Sequence, residues 1–144
     1  MATFKKNKYS ILKNVISKPI ASFVSDYFLL KRQVCRTFIE DRYMSPFSLE
    51  WGVFGDTQVR SYSVYGDCAM ETLLEQVKPK MEKHLGFELV PTYAYARIYH
   101  RGDKLSRHKD RFSCEVSATM HLGGDGWPIY IDPTGTDNIL SGSF

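Results

Sequence analysis

Apolar residues recur at helical spacing in two stretches of the chain. Ile20, Phe23, Val24, Tyr27 and Val34 share a face over Pro19 to about Phe38, and Leu73, Leu74, Val77, Met81 and Leu85 form a second stripe. Each stretch has a start signal. Ser17-Lys18-Pro19 offers a capping hydroxyl followed by proline in the first turn, where its missing N–H is not needed. Asp67 is a capping carboxylate before the second stretch, and Gly86 ends it. Pro79 sits inside the second stripe and predicts a kink or a split there. Upstream, Tyr9 to Val15 reads as a short strand. Asp41 to Ser48, with Pro46, reads as irregular, and Arg60 to Tyr65 alternates weakly as an extended segment.

From Phe87 onward the period shortens to two. Leu89 to Tyr99 reads as a strand with Tyr93, Tyr95, Arg97 and Tyr99 on one face and Ala94, Ala96 and Ile98 on the other. Glu115 to Leu122 divides the same way, with Ser117, Thr119 and His121 opposite Val116, Ala118, Met120 and Leu122. Gly123-Gly124-Asp125-Gly126 is a turn, and Trp127 to Ile131 is a returning strand, which predicts a hairpin over 115–132. The polar faces are rich in Tyr, Arg, Ser, Thr and His. Such groups suit the lining of a pocket or a solvated outer face.

Length adds one bound: 144 residues make a single domain. Hydrophobic residues at 43% and charged residues at 24% give a globular balance, and 14% aromatics argue against disorder. No apolar run approaches the ~18–20 residues of a membrane span, and the basic start lacks the apolar stretch of a signal peptide. Charge is unevenly placed. Residues 1–18 carry five lysines and no acid, read as a solvated start. Residues 97–111 carry six Lys and Arg against two acids, and no Lys or Arg follows Arg111. The second cluster is too local for a nucleic-acid footprint, which needs a basic stripe over a face, but it can steer an anionic or polar substrate. Cys35, Cys68 and Cys114 match no zinc spacing; they read as reduced core thiols in a cytoplasmic protein.

Candidate chemistry concentrates in residues 99–111. In His108-Lys109-Asp110 an imidazole and a carboxylate two positions apart point to the same side of an extended chain, while Lys109 points away. One nitrogen and one anionic oxygen donor suit a divalent metal such as iron(II), and a third imidazole from elsewhere would complete a facial triad with open positions. Asp103 reads as the organiser of the Gly102-Asp103 turn, and His84 as a cation at a helix C-terminus. His84 and His100 are left out of the site.

The run Pro91-Thr92-Tyr93-Ala94-Tyr95-Ala96-Arg97-Ile98-Tyr99, the Gly-Asp turn, Leu105 to Arg111, and Cys114 to Thr119 together resemble the 2-oxoglutarate- and iron(II)-dependent dioxygenases of the prolyl 4-hydroxylase-like branch. The likeness is greatest to the small bacterial and phage-borne members. It covers most of the chain and is densest over 91–132. The resemblance implies an α+β fold in which N-terminal helices (residues 1–88) pack on the first strands (89–144) of a double-stranded β-helix, or jelly roll. It implies His108 and Asp110 as the first two iron ligands, Tyr99 and His121 at the co-substrate, and Arg97 in contact with substrate or in a structural ion pair. It also implies iron(II), 2-oxoglutarate, dioxygen and ascorbate as cofactors, and hydroxylation of an unactivated carbon, in the first place a prolyl residue of a peptide or protein substrate. Membrane and nucleic-acid partners are not expected.

Two features depart from that pattern. The family's distal histidine and the basic anchor for the far carboxylate of 2-oxoglutarate have no counterpart after Asp110: the one later histidine is His121, and no base follows Arg111. A jelly roll takes about eight strands, and three are legible after Phe87. The chain is therefore expected to be the N-terminal portion of a longer dioxygenase. The alternative is a non-catalytic dioxygenase-like module that binds a partner or binds metal weakly.

Overall fold

Ser17 starts the first long helix as its sequence predicts. In the computed structural model, which describes residues 2–134, a short helix α1 spans Ala2–Asn7 and is followed by α2 over Lys18–Glu40. The Ser17 hydroxyl accepts from the Ile20 amide at 3.4 Å, with proline in the first turn. Strands β1 (Val53–Phe54) and β2 (Tyr62–Tyr65) come next, then helix α3 (Cys68–Leu85), then β3 (Tyr95–Arg97). The three strands form one antiparallel sheet in the order β1-β2-β3, with Phe54 opposite Tyr62, and Val64 opposite Ala96. The fold is α+β: two long helices and a small antiparallel sheet.

The register sorts the side chains of the sheet. Tyr62 and Val64 face the helices and share a core with Val24, Phe28 and Cys35 of α2 and Met70, Leu73 and Val77 of α3. Ala94, Ala96 and Ile98 pack on this core, as the alternation of that strand predicts. Burying each large apolar side chain contributes about 1.5–3 kcal/mol, so this seam holds the layers together. The ring of Tyr62 is fully buried between Phe28 and Phe54, 5.3 and 5.1 Å away, and its hydroxyl donates to the Trp51 carbonyl. Gly52 sits beside it at φ 100°. A Cβ there would come within 2.6 Å of the Ser63 carbonyl oxygen, so only glycine fits.

Asp67 links the two helices. One carboxylate oxygen caps α3 by accepting from the Ala69 and Met70 amides at 2.9 and 3.3 Å. The other accepts from the Tyr27 hydroxyl at 2.7 Å and from the Lys31 ammonium, both on α2. The Asp67 side chain is 1% exposed. Burial acts to raise its pKa, but the bonds from Lys31 and Tyr27 outweigh burial and hold the carboxyl below its ordinary value. Tyr27 responds in the opposite sense: burial and the Asp67 hydrogen bond push it up to about 12.

Several expectations are corrected. Tyr9 to Val15 forms no strand: no chain pairs with it, and the basic start instead forms α1. Pro79 does not split the second helix. It lies on the exposed face of a continuous α3, where water can solvate the carbonyl it leaves free, while buried Val77 and Leu85 pin the turns on either side. The strand expected over Leu89 to Tyr99 is regular only at Tyr95–Arg97, because its partner β2 is four residues long and Pro91 brings no N–H. Glu115 to Leu122 and Trp127 to Ile131 form no ladder and no hairpin. Their alternation survives only as packing of Met120 and Leu122 against the core. β1 lies within the part expected to be helical. Among the cysteines, Cys35 is buried, but Cys68, in the first turn of α3, is exposed and Cys114 half-buried. The α+β class is as expected, and the described residues carry three strands of the about eight that a complete jelly roll takes. Residues 135–144 of the expected strand region lie outside the described residues. Among the described residues, no helix is long and apolar enough to cross a membrane.

Two outcomes test this account. Replacing Lys31 by Met leaves the Asp67 carboxylate buried without its cation and is expected to lower stability by about 3–5 kcal/mol in urea unfolding. The Asp67 contribution is present above the unfolded carboxyl pKa of about 4 and is lost as pH falls through the depressed folded value. The Tyr27 contribution is present below about pH 10 and is lost as pH rises to about 12. Pro79→Ala restores a backbone bond in an uninterrupted helix and is expected to stabilise by about 1–3 kcal/mol. A loss of stability in that variant counts against the continuous helix.

Candidate functional site

The sheet has a second, polar face. Pairing places Ser63 opposite Arg97 and Tyr65 opposite Tyr95, with their side chains away from the helices. Ser61 and Ser63 are buried there. Arg97 is the centre of this face, its side chain 5% exposed. The guanidinium pairs with the Asp56 carboxylate and donates to the Tyr95 hydroxyl at 2.9 Å and the Tyr99 hydroxyl at 3.4 Å. It also lies over both tyrosine rings, 5.1 and 5.5 Å from their centroids. Arg97 thus makes the structural ion pair, one of its two expected roles. Its buried Nε has no hydrogen-bond partner.

Asp56 is held as firmly as the arginine it faces. Its carboxylate accepts from the Gln58 and Val59 amides at 2.8 Å each and from the Tyr95 hydroxyl at 2.6 Å. Burial opposes ionisation, yet the Tyr95 hydroxyl, the two amides and Arg97 lower the pKa to about 2. Nothing in the local pattern marks Asp56, because its partner lies on a strand far along the chain.

The loop that follows β3 carries the expected metal ligands, and three contacts position it. Asp103 accepts from the His100 amide and the Ser61 hydroxyl, each at 2.7 Å, which closes the Gly102-Asp103 turn and ties it to the sheet. Arg107 pairs with Asp132. Arg111 lies over the rings of Tyr65 and Tyr93, 5.9 and 5.6 Å from their centroids. Between these anchors, residues 104–110 are irregular rather than a strand.

His108 and Asp110 nevertheless come together. His108 Nε2 is 3.6 Å from Asp110 Oδ1. His108 Nδ1 is 2.8 Å from the Ser106 carbonyl oxygen. A carbonyl only accepts, so Nδ1 carries a proton, and Nε2 is the ring atom on the Asp110 side. This is the outer-shell arrangement that orients a metal-binding imidazole. Two ligands of one first-row metal, each bonded at about 2.1 Å, lie about 3.0–3.4 Å apart. The observed gap is a few tenths of an ångström wider, so the pair fits a shared ion after a small rotation. The two side chains are 37% and 49% exposed.

The other expected residues are distributed around this pair. Tyr99 bonds Arg97, and its ring meets Trp127 edge to face at 4.3 Å between centroids. His121 is exposed on the segment 115–122. Among the described residues, no three His, Cys, Asp or Glu side chains are grouped to hold a metal. His84 bonds Ser10 and lies outside the site.

Comparison with known proteins finds no matching family model, no matching curated protein and no matching solved structure.

Asp56→Asn removes the charge that faces buried Arg97. The expected loss is about 1.5–3 kcal/mol at pH 7. The depressed pKa places the wild-type contribution above about pH 4 and removes it as pH falls to about 2. The difference between variant and wild type in thermal unfolding is therefore expected to shrink toward pH 2. A difference that does not change with pH rejects the ion pair as its source.

Proposed function

We propose that this protein is a 2-oxoglutarate- and iron(II)-dependent oxygenase that hydroxylates an unactivated carbon, with a prolyl residue of a peptide or protein as the first substrate to test. The observation that carries the proposal is the pair His108 and Asp110. Nε2 and Oδ1 lie 3.6 Å apart, and the Ser106 carbonyl engages Nδ1, which turns Nε2 toward Asp110. The α+β architecture of helices on an antiparallel sheet agrees with an incipient jelly roll, the finer fold proposed here. When bound, iron(II) with 2-oxoglutarate supplies dioxygen activation, and ascorbate keeps the metal reduced.

The chain's own residues bind and position. His108 and Asp110 would hold the metal, together with a further protein ligand. Tyr99 and His121 are assigned to the co-substrate. The Tyr99 hydroxyl already accepts from Arg97, which leaves its proton free to donate to a carboxylate. Arg97, neutralised by Asp56, holds Tyr95 and Tyr99 in place on the polar face of the sheet. The Trp127 ring packs edge to face on Tyr99 and steadies its ring.

A second reading has a specific observation in its favour. Two metal-ligating side chains come together among the described residues rather than three, and both are substantially exposed. A non-catalytic module that binds metal weakly has the same appearance.

Succinate release from 2-oxoglutarate in the presence of iron(II) and oxygen separates the two readings. The oxygenase is expected to release succinate as the intact protein and to lose at least about 100-fold of that rate in His108→Ala and Asp110→Ala. Turnover unchanged in either variant rejects the ligand assignment. Absence of turnover in the intact protein, together with Mn(II) binding that His108→Ala abolishes, selects the non-catalytic module.

A further inference from the structure

The N-terminal lysines and the end of α3 are far apart in sequence and meet in the fold. Lys8 and Asn14 adopt left-handed backbone, with φ 64° and 57°, a region that residues with side chains enter infrequently. They bracket the segment 9–13 and turn it along the C-terminal half of α3. His84 Nε2 lies 3.1 Å from the Ser10 hydroxyl, and the Lys80 ammonium donates to the Val15 carbonyl. Between segment and helix is a cavity of about 450 Å³, lined by Lys13, Lys80, Lys83 and His84 together with Leu12 and Val15.

The chemistry of this cavity is one-sided. Three lysines line it, and no acidic residue does. Among the described residues, neither Lys13 nor Lys83 is within ion-pair distance of a carboxylate, whereas nearby Lys78 pairs with Glu82. Cations in the last turn of a helix offset its dipole, which accounts for Lys83 and His84. It does not account for Lys13, which the turn at Asn14 brings to the same cavity. Lysines gathered around one pocket without an acidic residue give it a positive local potential, which favours an anion.

We propose that this cavity binds a small phosphorylated molecule. Lys13, Lys80 and Lys83 hold its phosphate oxygens, and its apolar part lies against Leu12 and Val15. Lysine binds phosphate as a point charge, and several lysines at one point match a dianion better than a single carboxylate. The volume falls within the about 300–1,000 Å³ of small-ligand pockets. An extended nucleic acid requires a basic stripe instead. The site is separate from the candidate metal ligands and does not depend on their assignment.

The test is an NMR titration of the full chain with phenyl phosphate, with inorganic phosphate and with a 12-nucleotide single-stranded oligonucleotide. Phenyl phosphate is expected to give saturable shifts at the amides of residues 11–15 and 80–85 and to bind more tightly than inorganic phosphate. Lys13→Gln with Lys83→Gln is expected to weaken it roughly tenfold, with the far-UV circular dichroism unchanged. Lys13→Arg with Lys83→Arg is expected to retain it. The proposal falls if phenyl phosphate gives no saturable shift, or if the double Gln variant binds it equally well. It also falls if the oligonucleotide binds more tightly with shifts spreading over Lys5 to Lys8, which assigns the surface to nucleic acid.

Discussion

A single buried carboxylate joins the two long helices of this protein. Asp67 caps α3 with one oxygen and receives Tyr27 and Lys31 of α2 with the other. A carboxylate in that position is costly unless its lone pairs are filled, and here four donors fill them. Its geometry sets the distance and rotation of α2 against α3. That in turn decides which faces of Val24, Phe28, Met70 and Leu73 meet the sheet. β2 ends two residues before Asp67, so the same joint fixes where the central strand stops and how far β3 can pair with it.

The polar side of the sheet depends on this placement. With Tyr62 and Val64 committed to the core, period-two alternation sends Ser63, Tyr95 and Arg97 to the opposite face. Arg97 loses water there and gains Asp56 and two tyrosines in exchange. The loop beyond β3 is then fastened at Ser61, at Asp132 and over the rings of Tyr65 and Tyr93. His108 and Asp110 converge because the loop's ends are held, although no ladder runs through them.

Much of the helical architecture was legible in the chain. Ser17, Asp67 and Gly86 mark helix ends through bonds made within one turn, so local sequence is enough to place them. The two faces of the β3 segment were equally legible, since alternation needs no knowledge of the partner. Strand length was not. Leu89 to Tyr99 has strand character throughout, yet a strand is regular only where another backbone lies beside it, and β2 offers four residues. The same reason removes the expected hairpin over 115–132, whose alternation persists as packing of Met120 and Leu122 without pairing. Pro79 leaves α3 unsplit because it lies on the exposed face of the helix, and burial decides which face that is.

The sequence alone determined what short-range physics controls: the helix starts and stops, the sides of the strands, the turn at Asp103, and the presence of an imidazole and a carboxylate two positions apart. Tertiary structure decided everything that required two distant segments to meet. It paired Arg97 with Asp56, assigned Cys35 to the core and Cys68 to the surface, and brought Lys13 beside Lys80 and Lys83. Charges attract or repel according to distance in space. Distance along the chain carries almost no information about that once a helix or a strand lies between them.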